Sequence, residues 1–280
     1  EYDFSEEHMA YSTQDSSFKE GKINKKGLHK NVNDGASLIA IQEYFTNGMG
    51  AVSEDDYPFD NSTVNIDISK LNQPIAATVL DTFTFPQLSI KSTSEFSTDK
   101  ISDLIMEMKT YIKNYGGITT IFSTGGENKK KYINWTNNSL YNPEDISDSS
   151  LDHAVCIIGW DDNYSKDNFN TNYKPKNNGA WIVKNSWGNT VDIGNTTTLK
   201  EGIFEQLDEN MRKQYNLNSS NDITDEMLIY VLKELFTGFT NIRIVNGVAY
   251  GDRDTKSSYM YISYETPSIY VSNMGVTKAE

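Results

Sequence analysis

The segment LDHAVCIIGWDDNY at 151–164 places a histidine three positions before the only cysteine of a 280-residue chain. An imidazole beside a thiol is a base beside a nucleophile. Here the spacing argues against that pairing. HAVCIIGW reads as a strand, and neighbouring strand side chains alternate between faces, so His153 and Cys156 point to opposite sides of a sheet. Cys156 shares its face with Ala154 and Ile158 and reads as a small buried hydrophobe. The partner of His153 is sought instead in AWIVKNSWG, the apolar segment that follows the polar stretch DDNYSKDNFNTNYKPKNN. An antiparallel pairing that sets Gly159 near Gly179 sets His153 beside Asn185, with Trp187 just beyond. A histidine whose ring is held by an asparagine amide and sheltered by an indole has the fixed orientation and tautomer that a base for a thiol or hydroxyl nucleophile requires. The plainer alternative is a His and an Asn that satisfy each other at a sheet edge.

Two regions of different texture must position these side chains. Residues 1–60 read as short helices and loops. Ser5 is placed to cap a helix, with His8 where a Glu would complete a capping box. In DGASLIAIQEYFTNGMG, Leu38, Ile41 and Phe45 recur at helical spacing with Ala40 and Tyr44 on the flank, and Gly48 stops the run. Then PIAATVLDTFTF alternates like a strand. DKISDLIMEMKTYIKNYGG returns to helical period, with Ile101, Leu104, Ile105, Met108, Tyr111 and Ile112 as its stripe and Gly116 as its cap. ITTIF, HAVCIIGW and AWIVKNSW follow as β segments. Between Trp187 and Tyr259 come LKEGIFEQLDENMRKQYNL, which is helix-like, and DITDEMLIYVLKELFTGF, with Met227, Leu228, Val231, Leu232, Leu235 and Phe236 as a stripe and Asp222 and Asp225 at its start; NIRIVNGVAYG is strand-like.

Composition excludes several classes. A chain with 37% hydrophobic residues can fill one domain or two packed lobes. Its net charge of −14 opposes a nucleic-acid surface, and KKK at 129–131 is expected to be a solvated loop. No apolar run approaches the ~18 residues of a transmembrane helix, and no signal peptide opens at Glu1. With no initiator Met there, the chain is expected to be processed or cut from something longer. One cysteine precludes an internal disulfide or a Cys-based zinc site, and His8, His29 and His153 have no ligand spacing. DDNYSKDNFN lacks the central Gly and closing Glu of a calcium loop and reads as a hairpin connection. No metal or organic cofactor is expected.

LDHAVCIIGWDD followed by GAWIVKNSWG resembles the histidine and asparagine segments of the papain family of cysteine peptidases, roughly H-A-[VM]-x-x-[VI]-G-[YW] and then [YW]-x-[IVL]-K-N-S-W-G. FSEEHMAYST is similar to that family's LSEQxLVDC run, NDGASLIAIQEYFTNGMGAVSEDDYPF to its Asn-Gly-Gly, helix and YPY run, and GGITTIF to its GPVSVxI strand. SSYMYISYE resembles the closing GYxxIxR strand in the form found in secreted clostridial members. The resemblance implies an α+β chain with a papain-like two-lobe fold: a helical lobe remaining in 1–60, an antiparallel β-barrel-like lobe in 61–188 and 257–272, and a helical insertion at 189–256. It implies His153 as base, Asn185 as its orienter, Trp187 as its shield and Asp152 as a supporting residue. Gly35 would pair through its backbone with extended peptide, and Ala36 and Ser37 would border a substrate pocket.

The departures are as informative. The family nucleophile, in a Cys-x-x-Cys-Trp run on a long helix, and its oxyanion-hole Gln are absent; by spacing the nucleophile is expected about 25 to 35 residues before Glu1. The resemblance therefore implies a cysteine peptidase domain acting on peptide or protein substrates, with its nucleophile on an upstream segment and with the 280-residue chain inactive alone. The rival readings are a non-catalytic relative that binds peptide or a protein partner, and a structural remnant. A secreted or cell-surface location follows from the resemblance only. The stripe in 222–236 is expected to pack on the core, or else to dock an adjacent module or cover the cleft.

Overall fold

The computed structural model describes residues 3–13, 37–59, 71–86, 96–126, 129–144, 151–188, 190–236, 239–253 and 258–278. The first helix, α1 (Glu6–Ser12), begins where Ser5 Oγ accepts the His8 amide at 2.9 Å. The His8 ring turns inward instead of completing a capping box. Its Nε2 lies 2.9 Å from the Leu71 carbonyl and its Nδ1 2.7 Å from the Tyr44 hydroxyl. A carbonyl only accepts, so Nε2 donates and Nδ1 receives the hydroxyl proton. The second helix, α2 (Leu38–Thr46), buries Leu38, Ala40 and Tyr44 and leaves Ile41 and Phe45 half-buried. The buried side is thus rotated onto the expected flank, because Tyr44 reaches His8 and lies over Gly50, where a Cβ would meet its ring at 2.0 Å.

Next come β1 (Val79–Thr84), a 3-10 turn at Thr98–Ile101, and α3 (Ser102–Tyr115). All six residues of the stripe predicted for α3 are buried, and Gly116 ends the helix at φ 106°. Then follow β2 (Ile118–Phe122), α4 (Lys129–Tyr132), β3 (Ile133–Asn134), β4 (Ser139–Leu140), β5 (His153–Asp161) and β6 (Ala180–Lys184). KKK, expected in a loop, supplies three of the four residues of α4. Beyond β6 lie β7 (Thr190–Asn195), α5 (Thr196–Gln206), α6 (Glu209–Gln214), α7 (Asp225–Leu235), β8 (Phe239–Val245), β9 (Val248–Arg253), β10 (Tyr259–Ser263) and β11 (Ser272–Lys278).

The fold is α+β. Eight strands form one sheet in the order β1-β11-β2-β5-β6-β10-β4-β3, antiparallel except where β10 meets β4. The α3 stripe and the inward residues Ile118, Phe122, Val155, Ile157, Trp181, Val183 and Met260 form one core. Each such side chain contributes roughly 1.5–3 kcal/mol on burial. That core fixes the backbone at the two strand ends carrying His153 and Lys184. Residues 190–253 hold α5, α6 and α7 together with a second sheet, β7-β9-β8, around Leu217, Ile223, Leu228, Leu232, Ile242 and Ala249. The segment expected as a helical insertion therefore carries a sheet as well as helices. Asp208 interrupts the first helix-like run and caps α6, and Thr224, not Asp222 or Asp225, caps α7.

Candidate active site

Both histidine-bearing and asparagine-bearing segments are neighbours in the sheet, but in another register than the glycine alignment suggests. β5 pairs with β6 through Cys156↔Lys184 and Ile157↔Val183, then Gly159↔Ile182, Trp160↔Trp181 and Asp161↔Ala180. Ile158 is the extra residue of a bulge. Gly159 therefore lies opposite Ile182 and not Gly179. Gly179 stands beyond the ladder at φ 112°, with its amide donating to the Tyr164 carbonyl. Continued past Lys184, this register sets His153 opposite Trp187, so Asn185 reaches the imidazole diagonally.

The contact is short nonetheless: His153 Nε2 lies 2.7 Å from Asn185 Oδ1. The same Oδ1 accepts the Ser186 amide at 2.8 Å. A backbone N–H can only donate, so the atom facing it is the amide oxygen, and that oxygen in turn requires Nε2 to carry the ring proton. Nδ1 is left as the basic nitrogen. Trp187 stacks on the imidazole with centroids 4.8 Å apart and planes 28° apart, and Phe122 meets it edge-on at 6.0 Å. The backbone of Asn185 is held from the far side, its amide donating to the Ser258 carbonyl at 2.7 Å just before β10. His153, Asn185 and Trp187 are all half-buried, sheltered but reachable.

Asp152 braces the approach to His153. Its Oδ1 accepts the Thr124 amide at 2.7 Å, and its Oδ2 accepts the Thr124 hydroxyl at 2.7 Å and the Gly126 amide at 3.0 Å. Its own amide donates to the Phe122 carbonyl at 3.1 Å. The loop after β2 is thereby tied to the residue before the imidazole. Trp135 extends the aromatic wall, 6.1 Å from Trp187. Sequence reading missed Trp135, Thr124, Gly126 and Ser258; an isolated Trp in a polar loop after a short apolar pair was the one signal available for the first.

Cys156 lies on the other face. Val155 and Ile157 are buried on the side of the imidazole, whereas Ala154 and Ile158 are exposed. The thiol is half-buried rather than enclosed, against Gly117, where a Cβ would sit 2.7 Å from Sγ. Burial pushes its pKa up, with Lys184 opposing only in part, so it stays a thiol at neutral pH. Of the expected substrate-binding residues, Gly35 and Ala36 lie outside the described residues; Ser37 is the exposed N-cap of α2 without a side-chain capping bond. Among the described residues no group of three His, Cys, Asp or Glu is placed to hold a metal ion, and no helix is long and apolar enough to cross a membrane.

The family model described as papain family cysteine protease matches residues 22–208. No curated protein sequence matches the chain. Among solved structures, the cysteine protease and lectin-like domains of Cwp84, a surface-layer-associated protein of Clostridium difficile, align with a TM-score of 0.56 at 22% identity, over 100% of this chain and 43% of that one. Clostridial cysteine protease Cwp84 after propeptide cleavage aligns with a TM-score of 0.55 at 21% identity, over 100% and 48%. This chain thus spans less than half the length of either, and the likeness is one of fold.

Proposed function

Because the chain belongs to the papain family of cysteine proteases, we propose that it is a peptidase domain that cleaves peptide bonds through a thiolate, with His153 as base and then acid. The observation that carries this reading is the single amide oxygen of Asn185 that fixes the imidazole with its proton on Nε2. A groove that only binds peptide needs neither a base nor its orienter. Nδ1 takes the proton of a cysteine thiol, and the resulting ion pair supplies the nucleophile. The sulfur attacks the peptide carbonyl carbon; as the tetrahedral species collapses, the C–N bond breaks and Nδ1–H protonates the departing amine. Water, deprotonated by Nδ1, then attacks the thioester and releases the acid and the thiol. Trp187 keeps water from the His153–Asn185 bond throughout.

Cys156 is not that sulfur: it faces away from the imidazole and its thiol is held protonated. The nucleophile belongs to a segment outside these 280 residues, and the chain alone is inactive. Substrates are peptides or proteins, met at the cell surface or outside the cell. Hydrolysis of a fluorogenic peptide library by the natural full-length protein tests this. Cleavage abolished by His153→Ala and retained by Cys156→Ser is expected. Cleavage lost in Cys156→Ser, or full activity in the isolated 280 residues, would overturn the assignment of the sulfur; no cleavage by the full-length protein would leave a peptide-binding relative.

A further inference from the structure

A second concavity, about 450 Å³ in volume, lies between β1 and α3, and neither His153, Asn185 nor Trp187 lines it. Its floor is aromatic. Phe85 and Tyr111 are buried there, and Phe83 stacks on Tyr111 with centroids 6.0 Å apart and planes 16° apart. Phe83, Met106 and Tyr115 remain 42%, 63% and 58% exposed, so large apolar side chains gather in one groove instead of scattering over the surface. The Tyr111 hydroxyl is buried against Gly275 and has no hydrogen-bond partner among the described residues. Asp81 and Glu107 also line the groove, whereas none of its described lining residues is Lys, Arg or His.

This combination selects an occupant by charge. Aromatic faces attract a cation, and flanking carboxylates add an attraction that a neutral ligand does not receive. An acidic ligand is repelled, the more so by a chain of net charge −14. A planar guanidinium both stacks on rings and pairs with carboxylates through forked N–H donors, which an ammonium does less well. We propose that the β1–α3 groove binds a peptide segment in which an arginine adjoins an aromatic residue. The guanidinium lies over Phe83 and Tyr115 between Asp81 and Glu107, and the aromatic side chain covers the remaining apolar floor beside Met106. With none of His153, Asn185 and Trp187 in its lining, the groove takes a docking partner rather than a scissile bond.

Fluorescence anisotropy of a labelled hexapeptide of alternating Phe and Arg, titrated with the full-length protein carrying His153→Ala to prevent turnover, tests the proposal. Saturable binding is expected, and replacing Arg by the uncharged isostere citrulline weakens it about ten-fold or more. Asp81→Asn with Glu107→Gln is expected to bring the arginine peptide to the affinity of the citrulline peptide, and Phe83→Ala to weaken both. The rim carboxylates are solvent-facing, and unchanged thermal midpoints establish that these variants fold. Absent binding, equal affinity for the two peptides, or indifference to the carboxylate pair would each overturn the assignment, the last by moving the peptide to the cleft.

Discussion

At Asn185 one oxygen decides which nitrogen of His153 is basic. Oδ1 receives two donors, the Ser186 amide at 2.8 Å and the imidazole Nε2–H at 2.7 Å. The Ser186 N–H can only donate, so the atom facing it is the oxygen and not the amide nitrogen, and Nε2 must then present its proton to that oxygen. The Asn185→Ala variant frees the ring to turn and to exchange tautomers. Because misplacement of a catalytic group costs about 10²-fold, kcat of the full-length protein is predicted to fall by about that factor while KM changes little. Steady-state kinetics on one peptide substrate measures the split. A change confined to KM would place Asn185 in substrate binding instead of in positioning the base. The placement of Cys156 carries the opposite lesson: alternation along β5 is enough to exclude a pairing that spacing alone suggests.

At the scale of elements, the β5–β6 ladder separates what a sequence encodes from what it does not. Face and composition were legible, since alternation along β5 and the period of α3 follow from local geometry, and the motif segments led to His153, Asn185 and Trp187. Register was not. The whole ladder is offset by two residues from the glycine alignment, and the bulge at Ile158, which no neighbouring residue type marks, adds one more, so that Gly159 faces Ile182 rather than Gly179. Likewise Thr124 and Gly126 reach Asp152 from another loop, and Ser258 reaches Asn185 from the residue just before β10, so only tertiary pairing reveals them. Gly179 does have a local reason. Its φ of 112° excludes most residues, and an added Cβ would lie 2.6 Å from the Tyr264 ring, whose hydroxyl donates to Asp162 Oδ1 at 2.8 Å. Lys109 Nζ lies 2.5 Å from the same oxygen, joining α3 to the hairpin. Gly179→Ala is therefore predicted to destabilise the protein by about 1–3 kcal/mol, read as a lower urea midpoint at unchanged slope. A neutral result would mean that the turn is not strained by a side chain.

On the scale of the whole molecule, residues 190–253, expected as an insertion, hold a second core rooted beside His153 and Asn185. The chain leaves the main sheet after Trp187 and returns at Ser258, whose carbonyl holds the Asn185 amide. At its root Thr190 pairs with Asp252 across β7 and β9, and the Asp252 carboxylate gathers Arg243 Nη1 at 2.6 Å, Thr190 Oγ1 at 2.7 Å and Asn241 Nδ2 at 2.9 Å. The Arg243 bond first, then those from Thr190 and Asn241, draw the Asp252 pKa down to about 2. A lowered folded pKa stabilises above the ordinary carboxylate value and loses that contribution as pH falls through the folded one. Amide protection in β7–β9 is thus predicted to decline between about pH 4 and pH 2 in wild type, and to show no such step in Asp252→Asn. The four tryptophans, at 135, 160, 181 and 187, all lie outside the insertion, so their fluorescence follows the main sheet alone. Leu228 is fully buried in the insertion's own cluster, away from that sheet. Leu228→Ala removes a packed side chain there, at a cost of about 2–5 kcal/mol. If the two cores unfold separately, hydrogen exchange in α5 and α7 rises while the tryptophan-detected transition stays in place. If that transition moves with Leu228→Ala, the insertion and the site form one cooperative unit, and the strand ends flanking Asn185 depend on a core built beyond them.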